Sequence, residues 1–104
     1  MSKSKRHLIG LADILKQADA LQRGMPVSYL LAFVLVAADE GEGVLEYAAR
    51  AGVDRFAMSH SLNVLGKNGY GWLEAKRVGK RRSVTLTLKG HAVLSRFSQA
   101  LSGS

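Results

Sequence analysis

The chain has 104 residues, 47% of them apolar, no cysteine, and a formal charge of +7 at neutral pH. That length supports a domain with its own core, and the apolar share excludes wholesale disorder. The lack of cysteine excludes a disulfide framework, thiol redox sensing and thiolate zinc sites. His7, His60 and His91 are too far apart to show a metal-ligand spacing.

The elements, in chain order, begin with a basic segment. Met1–Arg6 reads as an arm in which Lys3, Lys5 and Arg6 either extend a nucleic-acid footprint or form an ordinary solvated terminus. Over residues 7–23, Leu8, Leu11, Ile14, Leu15, Ala18 and Leu21 recur at helical spacing. Gly24 ends that helix, and Pro26 suits the first turn of the next. Residues 27–38 are apolar nearly all round, which predicts a central, buried helix. The run falls short of the roughly 20 residues a membrane span needs. No signal-peptide pattern is evident at the N-terminus, so the expected location is the cytoplasm, on the nucleoid, with no membrane partner.

Asp39–Gly43 reads as a flexible acidic turn. Residues 44–51 form a short amphipathic helix with Leu45, Ala48 and Ala49 on its inner side, and Gly52 breaks it. Asp54 is a good N-cap for a helix over 54–68, in which Met58, Leu62 and Leu65 share one face. Asn68-Gly69 stops that helix. Residues 72–77 and 82–87 have strand composition, with Val78-Gly-Lys80 as the turn between them. Thr87 then caps a last helix to about residue 101, with Val93, Leu94, Phe97, Ala100 and Leu101 on its apolar side. Tyr29, Phe33 and Tyr47 are expected in the core, and Trp72 between wing and helices.

A short helix with small polar residues on one face, followed by a glycine-tipped basic ribbon, outlines a winged helix-turn-helix: mainly α with a small β-hairpin wing. The charge distribution agrees. Residues 25–54 carry −4, whereas residues 55–104 carry +8. Positive charge concentrated around the helix over 54–68 and the hairpin is what a polyanion partner requires.

The motifs resemble those of the MarR family of winged-helix regulators. Ala48-Ala-Arg-Ala-Gly52-Val53 is similar to the turn before that family's recognition helix, and Leu65-Gly-Lys-Asn-Gly69 to the helix end. The run from Lys80 to Gly90, with Leu86-Thr-Leu-Lys-Gly90, resembles its wing and the entry into the following helix. The resemblance covers about residues 27–97. Gly79-Lys80 stand where family members usually carry an acidic residue, and the terminal helices are of modest length. It implies a dimer on double-stranded DNA, paired through terminal helices.

The candidate DNA-binding residues are Arg55, Ser59, His60, Asn63 and Lys67 on the recognition helix and Lys76, Arg77, Lys80, Arg81 and Arg82 on the wing. Asn pairs with adenine, Ser with several base edges, and His with guanine acceptors. Five cations in seven residues repel one another in a free hairpin, whereas a phosphate backbone accounts for them. Phe56, near the exposed start of the helix, is expected to pack under the wing in preference to touching a thymine methyl. Apolar stripes on residues 7–23 and 88–101 suggest a homodimer. No Ser–His–acid order or phosphate loop stands out, so no enzyme activity, cofactor or metal site is expected. The leading reading is a sequence-specific transcription regulator, simplest as a dimeric repressor. The alternatives are an architectural DNA-binding protein with little sequence choice and a winged-helix protein-interaction module, whose contact would be the acidic turn.

Overall fold

The computed structural model describes residues 3–102, and the side chains of Lys5 and of residues 8–100. The order is α1 (Lys3–Leu21), α2 (Val27–Ala38), α3 (Val44–Ala51), α4 (Arg55–Leu65), β1 (Leu73–Val78), β2 (Arg81–Leu86) and α5 (Leu88–Ser102). These residues form two compact units. One runs from Pro26 to His91; the other joins α1 to the chain from Ala92 onward.

In the first unit, α2 packs against α3, α4 and β2, and α3 against α4. Leu30, Ala32, Phe33 and Val36 of α2 meet Tyr47 and Ala48 of α3 and Met58, Leu62 and Leu65 of α4 in a common buried set. Pro26, in extended conformation, caps α2 from just outside its first turn, where its missing N–H costs nothing. The Asp54 carboxylate accepts a hydrogen bond from the Ala57 N–H at 2.8 Å, the N-cap its position predicts.

Helix α4 ends at Leu65, three residues before the expected stop, and a run of turns leads to β1. Backbone hydrogen bonds from Tyr70 to Val64 O and from Trp72 to Leu65 O fold that run tightly back on the helix end. Gly69 is required there, because a Cβ would overlap the Val64 carbonyl. Trp72, buried, stands edge-on to Phe33 with ring centres 5.3 Å apart. It joins hairpin to helices as expected.

The strands pair antiparallel, Leu73 opposite Leu86 through Val78 opposite Arg81. The loop is therefore two residues, Gly79-Lys80, one shorter than the sequence suggested. Gly79 alone has positive φ (65°), which matches a turn with the left-handed residue first. Thr87 caps α5: its hydroxyl accepts from the Gly90 N–H at 3.0 Å and donates to Gly71 O at 2.6 Å.

Several expectations are corrected. Helix α1 begins at Lys3, inside the segment read as an arm, and ends at Leu21. Among Lys3, Lys5 and Arg6, only the Lys5 side chain lies within the described residues, and it is exposed. Helix α2 is not buried all round: Val27, Leu31 and Val34 are exposed. Its apolar circumference is wider than the surface that α3, α4 and β2 offer it. Helix α3 turns Tyr47 inward with Ala48, leaving Leu45 exposed and Ala49 outside. A large ring whose hydroxyl finds partners outcompetes the leucine for the interior.

In the second unit, Ile14 and Ala18 of α1 and Val93 and Phe97 of α5 are buried. Leu8, Leu11 and Leu15 of α1 remain exposed on one face.

Candidate nucleic-acid interface

The buried face of α4 carries Met58, Ser61, Leu62 and Leu65. At 100° per residue, the opposite ridge carries Phe56, Ser59, His60 and Asn63, spaced by three, four and seven from Phe56. Apart from the histidine, this ridge carries no titratable group. His60 is not simply solvated: its Nε2 lies 3.1 Å from the Tyr29 hydroxyl on α2. Tyr29, half-buried and edge-on to Tyr70, therefore fixes one side of the ridge. Arg55 stacks its guanidinium 5.0 Å from the centre of the Phe56 ring. Phe56 is 73% exposed and does not pack under the wing. The register that seats Met58 and Leu62 inside forces position 56 outward.

The hairpin register sorts its cations by face. Leu73 and Leu86, Ala75 and Val84, and Arg77 and Arg82 are successive opposite pairs on one face. The face starts in the core, with Leu73, Val84 and Leu86 buried, and ends at the tip with two arginines directly opposed. Like charges in such a position destabilise a hairpin. No carboxylate lies in ion-pair range of either among the described residues. Lys80, at the turn, is likewise exposed and without a carboxylate partner among the described residues.

Arg81 behaves differently. On the other face of β2, its guanidinium lies 2.9 Å from Glu42 and 3.6 Å from Glu46. Lys76 has a looser partner in Glu74, at 3.7 Å.

The acidic turn, expected to be loose, is hydrogen-bonded to β2 and to Tyr47. Gly41 N–H donates to Val84 O at 2.9 Å, and Val84 N–H donates to Glu42 O at 3.0 Å, so the turn closes the outer edge of β2. The Glu40 carboxylate accepts from Leu86 N–H at 2.7 Å. The Tyr47 hydroxyl donates to Asp39 O at 2.6 Å and accepts from Glu42 N–H at 3.2 Å. Burial pushes the Tyr47 phenol above its ordinary pKa, the hydrogen bond from Glu42 N–H opposes this, and the Asp39 and Glu42 charges add to it. These acids thus brace the wing from behind. Sequence reading missed Tyr29, Glu42, Glu46 and Tyr47 as parts of this region. Arg81 and Glu42 are far apart in the chain, and nothing local signals their pairing.

Between α4 and the hairpin runs a groove of about 650 Å³. Ser59, Asn63, Lys67 and Arg82 line it over a floor that includes Leu62, Leu73 and Val84. The structure thus brings together helix and wing candidates that are distant in sequence. Arg55, Lys76, Arg77, Lys80 and Arg81 do not line it.

A three-helix core with its third helix presented outward and a braced β-hairpin beside it is a winged helix-turn-helix. No protein-family model matches the sequence, and no curated protein sequence matches it significantly. Solved structures do match. RV1404 from Mycobacterium tuberculosis aligns with a TM-score of 0.72 at 12% identity, over 92% of this chain and 63% of that one. A MarR-family transcriptional regulator from Silicibacter pomeroyi aligns at 0.65 and 21% identity, over 95% and 66%. The PcaV transcriptional regulator from Streptomyces coelicolor, solved with its natural ligand, aligns at 0.61 and 24%, over 88% and 70%. The fold is therefore the MarR-type winged helix, and this chain spans about two thirds of the length of these structures.

Proposed function

We propose that the unit from Pro26 to His91 binds double-stranded DNA and that the protein is a sequence-specific transcription regulator acting as a dimeric repressor. The observation that carries this reading is the opposed pair Arg77 and Arg82 at the end of the hairpin face. Two arginines at directly opposed strand positions, with no carboxylate in ion-pair range among the described residues, cost the free hairpin stability, and phosphates reverse the sign of that term. The outward ridge of α4 suits the major groove, where Ser59, His60 and Asn63 meet base edges. Arg77, Lys80 and Arg82 then meet phosphates or enter the minor groove, with Lys76 nearby. Lys67 and Arg55 extend the cationic rim at the two ends of α4. Arg81, held by Glu42 and Glu46, sets the wing in place more than it neutralises phosphate.

The exposed stripe Leu8, Leu11 and Leu15 supports pairing of two copies through the terminal helices. A dimer doubles the bases read and imposes two-fold symmetry on the site. Repression by occlusion is the simplest outcome of such binding.

Selection from a random duplex pool at near-physiological salt, followed by sequencing, tests the proposal. An enriched inverted repeat is expected. Retention without enrichment would mean an architectural binder, and no retention even at low salt would sink the DNA reading.

A further inference from the structure

The proposed reading leaves one residue of the α4 ridge unused. Phe56 is 73% exposed, an unusual state for a phenylalanine, even with the Arg55 guanidinium lying against its ring. It is the second residue of α4, in line with Ser59, His60 and Asn63 at helical spacings of three, four and seven. Any surface that receives those three side chains receives Phe56 as well. In helix-turn-helix docking it is the N-terminal part of the recognition helix that reaches base edges. A phenyl ring has no hydrogen bond to offer there, and only one major-groove group suits it: the 5-methyl of thymine.

We propose that Phe56 is a specificity-determining residue that reads a thymine 5-methyl group in each half-site. The inference rests on the DNA-binding reading above. Arg55 contributes by stacking 5.0 Å from the ring centre, which restrains the ring and puts a cation beside the neighbouring phosphate. The contact is apolar, so it changes base preference and leaves the salt dependence of binding unaltered.

The test compares duplexes that differ only in methyl groups. The duplex enriched from a random thymine-containing pool is resynthesised with deoxyuridine in place of thymine, one position at a time, and titrated with the wild type, Phe56→Ala and Phe56→Leu. Burying one methyl should tighten binding about fourfold. The wild type is expected to lose that factor at one symmetric pair of positions, and Phe56→Ala to bind both duplexes equally. Phe56→Leu should keep part of the discrimination, and all three proteins should share one salt slope. Equal binding of both duplexes by the wild type overturns the inference and leaves the DNA reading intact, as does undiminished discrimination by Phe56→Ala. Failure of every protein to retain any duplex overturns both. Because position 56 is exposed, circular dichroism and the unfolding midpoint should be unchanged in the variants.

Discussion

The ridge of α4 and the hairpin beside it lie on the same side of one small core and differ in almost every physical respect. The ridge is short, nearly uncharged and built from side chains of fixed reach: Phe56, Ser59, His60 and Asn63. The hairpin is long and cationic, and its charges divide between two faces. Uncharged groups at set spacing discriminate among base edges, whereas arginines at a strand tip respond to any phosphate. The hairpin also shows that the number of cations does not measure an electrostatic footprint. Arg81 carries the same guanidinium as Arg82, but it already has carboxylates within reach.

Substitutions at the shared foundation should produce the largest effects, because they remove both surfaces at once. Trp72→Ala should cost about 3–5 kcal/mol in urea unfolding, since the ring is buried between the hairpin and α2. Retention of wild-type stability would show that the hairpin is not seated through this ring. Gly69→Ala should cost roughly 3 kcal/mol, because its Cβ meets backbone and cannot be relieved by a rotamer change.

Smaller effects separate the two faces of the hairpin. Arg77→Ala with Arg82→Ala should lower the slope of log affinity against log salt by about 2, roughly one for each phosphate that is no longer neutralised. Arg81→Ala should lower it by less than half of what Arg82→Ala does. Equal slopes for the two single variants would show that the Glu42 and Glu46 pair does not hold Arg81 once DNA is bound. The smallest effect expected is on stability: Glu42→Gln with Glu46→Gln should cost no more than about 1 kcal/mol, because the pair is half-exposed and screened.

Much of the fold was legible because the punctuation is strong. Pro26, Gly52, Asp54, Gly79 and Thr87 each mark a boundary by their local chemistry, and α2 and α3 have the expected spans, whereas Asn68-Gly69 lies past the end of α4. Which way a face points was harder to read. Leu45 and Tyr47 are both plausible inward residues, and only the hydrogen bonds of the Tyr47 hydroxyl to Asp39 O and Glu42 N–H decide between them. Phe56 was misjudged for the opposite reason: apolar character suggested burial, although the register of Met58 and Leu62 already turned it outward. The candidate site was legible as a set of residue types. Its division into opposed and braced arginines was not, because strand register and a turn far upstream create it.

The most direct test of the central claim is a matrix of binding free energies over every single base-pair change in the selected duplex. It would be measured in one assay for the wild type, Asn63→Ala and the Arg77→Ala, Arg82→Ala double variant. If ridge and wing divide recognition as described, Asn63→Ala flattens the preference at one symmetric pair of positions by about 1–3 kcal/mol. The double variant weakens every duplex alike. If both proteins instead lose affinity uniformly, with no position flattened, α4 does not read bases and the account is wrong.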